Sequence, residues 1–546
     1  MDAQQHDNEI DTILSIELTI CGKKLKFRGF LEKSKQIGIV CDALNATYKK
    51  GELFVNTQRS RHRRLFQFAV CILVSSLFMS PPAFGLTLEE LAARMEALEA
   101  ENRVLREKVA ELETAEDSVI KTRVTTPAEG RGEFLALNSR FSYEMLDPTT
   151  RINRKQQLIL EKKQSGELSP NSLVIGGAVT SIINVQRSNT DSKFGWLMRH
   201  PTSSNQVTKS ASEAVIHSAQ LSLTANLGSW VTAYSEILYD PEQSFGAGTI
   251  TALARNQLQL RRGYVLFGNL DESPLYLSLG KMATPFGLTD TVNPFTANTV
   301  WHVFGGLAYG VQTGYIKDGL NLTVMGVQGG AQFRAHNTPV AGTDRPSKLN
   351  NYVVDGNYTF ELGEEDHTLL LGASYQKGSA YCQGFPITHF AACENHNPAI
   401  DVYSQLTLSN FLFHAEYGET RDDWPGTFNP DNPDFAAHEV VSWNVGSRYT
   451  KNINGRDIDF SADFSRFIAG PDGAPWENQD QLVLGIATFV TPSVKLFLEY
   501  IHTSGYAPLN FISGGGGPGV TVPSAETHSD SSANSDILVL GVNAAF

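Results

Sequence analysis

The chain has 546 residues, 44 Lys/Arg against 58 Asp/Glu, a formal net charge of −14, and 46 glycines. That balance argues against a nucleic-acid partner, which needs a basic face. Only one run is apolar enough to suggest a helix in lipid, so a multi-helix membrane protein is excluded, leaving soluble domains or one large barrel with an appendage.

Residues 1–58 carry no recognisable motif. Residues 59–85 read as a secretory signal: Arg59, Arg61, Arg63 and Arg64 precede the apolar run Leu65 to Phe78, and Ala83 and Gly85 supply a small-residue cleavage site. On this reading 1–58 is a non-native upstream extension, with translation starting near Val55. Without residues 1–85 the chain has 32 basic and 50 acidic residues, a net charge of −18, and two cysteines, Cys382 and Cys393. An even pair in an exported chain points to a disulfide.

Residues 86–113 follow a 3-4 apolar spacing through Leu88, Leu91, Met95, Leu98, Asn102, Leu105, Val109 and Leu112. Such a seam predicts a self-associating coiled coil, with Asn102 at a core position fixing register. Residues 114–172 read as a periplasmic linker, with a short helix over Arg151 to Gln164.

From 173 to 546 the period changes to two. In RDIDFSADFSRF, Ile458, Phe460, Ala462 and Phe464 fall on one face, and Asp457, Asp459, Ser461 and Asp463 on the other. Strands are predicted near 173–187, 213–227, 230–240, 256–268, 274–282, 308–317, 319–328, 351–361, 366–377, 399–409, 411–420, 438–451, 456–467, 479–490, 494–504 and 535–546. These sixteen strands are joined alternately by short turns, such as Lys317-Asp318-Gly319 and Asn454-Gly455, and by long loops. An all-β fold, a sixteen-stranded antiparallel transmembrane barrel, accounts for the even number and for the alternation; a soluble sandwich does not. Closure is required because an open edge in lipid leaves amides unpaired.

The signal, coiled coil, linker and barrel together resemble the coiled-coil-bearing outer-membrane porins. The resemblance is to the LbtU-type siderophore porins and, more distantly, to DcaP-like and phosphate-selective porins. Its strongest local match is LRRGYVLFGNLDESPLYLSLGKMATPFG, Leu260 to Gly287, a strand-turn-strand ending at a Pro-Phe-Gly loop. It implies a homotrimer in the Gram-negative outer membrane, in contact with lipid and lipopolysaccharide. The cargo would be small hydrophilic solutes or iron-siderophore, taken up without a TonB-coupled plug. About 87 residues separate Gly85 from the first strand, which leaves no room for a plug domain. The final strand, ending at Phe546, resembles the signal read by barrel-assembly machinery.

A barrel of this size encloses a lumen whose selectivity depends on what narrows and charges it. The third long loop, Ala283 to Leu307, is the candidate constriction through Asp290, Asn293, Asn298 and His302, facing Arg261, Arg262 and Lys281 on the preceding hairpin. The alternative is that the arginines pair with wall carboxylates. Strand parity directs Asp355, Asp401, Glu416, Arg448, Asp457, Asp459, Asp463, Lys495 and Glu499 to the lumen, which predicts weak cation preference and argues against a phosphate-selective ladder. Cys382 and Cys393 share a loop with His389 and His396, where a disulfide competes with a metal site of loose spacing. Asp422 to Asp434 departs from an EF-hand, and Gly514 to Gly517 lacks the residues of a phosphate cradle. No cofactor is expected. His217, His414 and Ser442 are the scattered candidates for a barrel hydrolase, without a nucleophile motif around any serine. A barrel-anchored envelope tether is the other alternative.

Overall fold

The computed structural model describes residues 13–20, 23–30, 135–147, 153–191, 193–196, 208–240, 257–328, 349–363, 366–382, 396–427, 435–509 and 529–546. The signal segment, the coiled coil with Asn102, Cys393, His389 and Gly514 to Gly517 lie outside them. Residues 1–121 form a unit of their own, in which Ile13–Ile20 and Lys23–Phe30 pair as an antiparallel hairpin.

In the second unit, from Thr122 to Phe546, sixteen antiparallel strands close into a barrel. They are β1 (Leu173–Ser188), β2 (Ser210–Leu227), β3 (Val231–Asp240), β4 (Gln257–Gly268), β5 (Leu275–Ala283), β6 (Leu307–Lys317), β7 (Leu320–Gln328) and β8 (Leu349–Glu361). The second half comprises β9 (Thr368–Gln376), β10 (Ala399–Leu408), β11 (Phe411–Thr420), β12 (Val441–Ile453), β13 (Arg456–Ile468), β14 (Asn478–Thr491), β15 (Val494–Tyr506) and β16 (Asp530–Ala545). All sixteen strands expected from period-two alternation are present, with ends shifted by a few residues. Turn chemistry sets the tight connections: Asp318 and Gly319 both have positive φ, 51° and 81°, as do Asn454 and Gly455 at 54° and 78°, which suits the twist of a two-residue hairpin.

The two faces of the wall differ as the alternation requires. Ile183, Val185, Leu221, Leu279, Val324, Leu484, Leu498 and Leu540 are exposed on the outside. Asn184, Gln220, Gln312, Asp355, Asn444 and Glu499 are buried on the inside. An apolar belt of this extent around a closed barrel is unsuited to water and suited to lipid.

Closure occurs where β16 pairs antiparallel with β1, from Ser535 opposite Ser188 to Ala545 opposite Ala178. The last residue completes this seam: Gly177 and Phe546 exchange backbone hydrogen bonds of 3.0 and 2.9 Å. A Cβ on Gly177 would fall within the Phe546 ring. We therefore expect Gly177→Val to weaken closure by about 1–3 kcal/mol, the usual overpacking cost. The loss would appear as a lower temperature at which the compact barrel band disappears from detergent gels; an unchanged transition would contradict this account of the seam.

The lumen is partly filled. Part of the linker folds into it as helices α1 (Ser139–Leu146) and α2 (Lys155–Gln164). Asn138 caps α1 by accepting the Phe141 amide at 3.0 Å. In α2 an apolar Leu-Ile-Leu triplet lies between polar ends, and Leu158, Ile159 and Leu160 are all buried. A short helix apolar around its middle turn needs cover on every side, and the barrel supplies it. Gln220 of β2 donates to the Leu146 carbonyl at 2.9 Å, whereas Gln156 reaches Gln312 of β6 and Asn321 of β7 donates to Gln157. Helix α1 thus packs against β16, β1 and β2, and α2 against β4, β6 and β7. They enter from the short-turn end, where Lys163 donates to the Gly268 carbonyl and Asn171 accepts the Gly228 amide. Among the described residues, 135–147 and 153–164 are the parts of the linker that lie against the inner wall.

Candidate functional site

The third long loop turns inward at Pro285-Phe286-Gly287. Gly287 has φ +67°, and a Cβ there would collide with the Glu416 carboxylate, so glycine is required on both counts. The loop crosses the lumen along the inner faces of β9 to β15, held mainly through its backbone. Ser374 accepts the Gly287 amide at 2.8 Å, Glu416 the Thr289 amide at 3.0 Å, and Glu499 the amides of Phe295 and Thr296 at 2.7 and 2.9 Å. The loop then forms helix α3 (Thr299–Phe304), capped by Asn298 through the Trp301 amide at 2.8 Å. Tyr381, Trp424 and Trp476 are fully buried towards the long-loop end, and Tyr381 donates to the Val303 carbonyl at 2.8 Å.

Two buried carboxylates therefore serve as acceptors for loop amides. Glu499→Ala would strip the Phe295 and Thr296 amides of their partner, at about 1–3 kcal/mol for each buried group. We expect this variant to fold with a looser loop, seen as greater open-state current noise; noise equal to the parent would contradict the seating role.

Among the sequence-derived constriction residues the loop acid has a different partner from the one expected, whereas the hairpin arginines lie beside a wall carboxylate, as in the alternative reading. Asp290 does not face the hairpin arginines; it pairs with Arg154 of the internal segment at 2.8 Å. Asn293 and Asn298 brace the loop itself, donating to the Thr296 and Asp290 carbonyls at 3.1 and 2.9 Å. His302 is buried in the last turn of α3, against Trp301. Arg262 pairs with Glu236 of β3 at 2.8 Å, and Arg261 lies 3.4 Å from the same carboxylate. Two consecutive arginines share the inner side because the β3–β4 register slips at Glu236/Ile237, making Arg261 the extra residue of a bulge. Lys281 donates to the Leu260 carbonyl at 3.0 Å. The transverse field expected between an acidic loop and a basic wall is thus replaced by local pairs, with the internal segment between them.

Of the parity-assigned residues, Asp355, Asp401, Glu416, Asp463, Lys495 and Glu499 are buried inside the barrel. Arg448 and Asp459 line a chamber, while Asp457 is exposed at the turn, accepting from Asn452 at 2.9 Å. Glu236, Asn153, Arg154, Lys155 and Tyr143 were missed. Their signal was weak: an inward Glu on a predicted strand and a polar linker that no periodicity tied to the barrel. Cys382 is disulfide-bonded. Among the described residues no three His, Cys, Asp or Glu groups are placed to hold a metal. Nor do hydrogen bonds join the hydrolase candidates: His217 contacts Ser218 at 3.3 Å, His414 lies 3.5 Å from Glu416, and Ser442 bonds Thr299 and the Arg466 carbonyl.

Between the internal helices and the wall from β8 to β15 lies a cavity of about 860 Å³ at the short-turn end. Loop residues 290–294 form its roof, and Tyr143 and Phe489 form an aromatic corner with ring centroids 5.1 Å apart. Lys495 donates to the Pro294 carbonyl at 2.7 Å and lies 3.9 Å from Asp147 and 5.3 Å from the Tyr143 ring centroid. On the opposite side Lys155 is enclosed, donating to the Glu144 carbonyl at 2.6 Å. Burial, with Arg262 nearby, pushes its ammonium down to about 7.

No family model matches the chain. A UPF0422 protein from Coxiella burnetii is 24% identical over 192 residues, 34% of this chain and 38% of that protein, so the match spans well under half the relative's length. Similar solved structures include an anion-selective porin from Comamonas acidovorans (11% identity, TM-score 0.42, covering 69% of this chain and 99% of that one). OprB from Pseudomonas putida shows 11% identity and a TM-score of 0.43, covering 68% and 94%. OmpF from Salmonella typhi shows 12% identity and a TM-score of 0.39, covering 68% and 97%.

Proposed function

We propose that this chain is an outer-membrane channel for small hydrophilic solutes, narrowed from within by its own linker. The observation that carries this reading is the pairing of a closed barrel and apolar outer belt with an inner wall rich in Asn, Gln, Asp and Glu. A barrel serving only as a tether in lipid has no need of buried carboxylates on its inner face; a water-filled path does. The signal segment and the terminal strand ending at Phe546 fit export and handling by barrel-assembly machinery. The coiled coil fits assembly of a homotrimer in contact with outer-membrane lipid and lipopolysaccharide.

The filled lumen bears on cargo size. Two helices and the inward loop leave a chamber suited to solutes of a few residues or one sugar ring, within the usual range of ligand cavities. Iron-siderophore passage, which the resemblance implies, would require the internal segment to move aside. Liposome swelling tests the channel reading: vesicles with the folded barrel should admit glycine and arabinose and exclude raffinose. Vesicles that exclude every solute would leave the tether reading.

A further inference from the structure

We propose that the short-turn chamber is a binding site for small zwitterionic solutes, amino acids or short peptides, with Arg448 receiving the carboxylate and Asp459 the ammonium. The two side chains sit on neighbouring strands: Arg448 of β12 pairs with Ser461 of β13, and Thr450 with Asp459. Arg448 and Asp459 are therefore diagonal neighbours on one face, a spacing at which opposite charges with long side chains can meet. They do not meet. Among the described residues Arg448 has no hydrogen-bond or ion-pair partner, and Asp459 accepts only the Thr450 hydroxyl, at 2.6 Å. Both are half-buried and both line the chamber.

The other cations of the lining are already matched within the protein. Arg154 pairs with Asp290, Arg140 with Glu144, Lys162 with Glu144 and Glu167, and Lys495 lies near Asp147. Arg448 is thus the cation of the lining left without a carboxylate, and Asp459 is the acid beside it on the same face; Glu161, also in the lining, accepts from Gln157 at 2.7 Å on the helix side. A solute of one charge would satisfy one and leave the other; a zwitterion satisfies both. Fork-like recognition of a carboxylate is what a guanidinium does well, and the Tyr143–Phe489 corner gives an apolar surface for a side chain.

The reading rests on the channel only for how the solute arrives, so binding is measured apart from transport. The probe is glycylglycine, titrated calorimetrically into the folded full chain in detergent, with acetate and methylammonium as single-charge controls. Arg448→Gln and Asp459→Asn should each weaken dipeptide binding by about tenfold or more, ~1.4 kcal/mol, and both controls should bind weaker than the dipeptide by a similar factor. Arg448→Lys, which keeps the charge, should retain part of the affinity and shows that loss in Arg448→Gln is not misfolding. Acetate binding as tightly as the dipeptide, dipeptide binding unchanged in both variants, or no dipeptide binding to the folded barrel would each overturn the proposal. A barrel that binds glycylglycine but passes no solute would remove the channel and leave the site. Swelling in arabinose without dipeptide binding would remove the site and leave the channel.

Discussion

Deleting residues 135–164 should raise single-channel conductance several-fold over the intact protein. The two helices lie inside the barrel, α1 against β16, β1 and β2 and α2 against β4, β6 and β7, through contacts such as Gln220 with Leu146 and Gln156 with Gln312. Removing them widens the path, and conduction depends on what narrows it. The deletion also removes buried Phe141, Met145, Leu158 and Ile159, each worth about 1.5–3 kcal/mol of gross transfer free energy. A milder variant guards against a barrel that fails to fold. Arg154→Ala leaves the buried Asp290 carboxylate without its guanidinium, a loss of about 3–5 kcal/mol for a broken buried pair. That loss should appear as frequent transient openings to the larger conductance. Equal conductance in parent, deletion and Arg154→Ala would mean that the segment does not narrow the path.

The same segment should respond to pH through Lys155. Its ammonium titrates near 7 when the helix is seated, against about 10.4 for a free lysine in water. The group is depressed in the seated state, so the released state holds more protons between these values. Seating therefore gains stability as pH rises from about 7 towards 10, and is weakest below 7, where the charge is present in both states. The span corresponds to an effect on the order of 5 kcal/mol. Arg262, Glu236, Asp147 and Asp290 all act on this ammonium, so its surroundings are set by both wall and loop. We expect more frequent large openings at pH 6 than at pH 9, and a flattened dependence in Lys155→Met. Parent and Lys155→Met responding alike would assign the pH response elsewhere.

The wall of this protein was legible because lipid imposes a strict rule on it. Every second residue from Ile458 to Phe464 must tolerate an apolar medium, and each Asp-Gly or Asn-Gly turn marks a register that cannot drift. The lumen obeys no such rule. Its filling mixes Leu158 and Ile159 with Lys155 and Gln156, all buried, and no period in the linker distinguishes a helix lodged in a barrel from one in solvent. Arg261 and Arg262 show the same limit on a smaller scale. Strict alternation would send one of them outward, and only the bulge opposite Glu236 brings both inside. Inward parity likewise said where Asp290's neighbours point, but not that Arg154, more than a hundred residues earlier, would be its partner.

Single-channel recording of the intact protein in planar bilayers shows directly whether the barrel conducts. A channel narrowed by its internal segment should give discrete, small conductance steps that grow when Arg154 is replaced. A barrel that is folded by circular dichroism and heat-modifiable migration, yet gives no steps under any applied voltage, would contradict the channel reading.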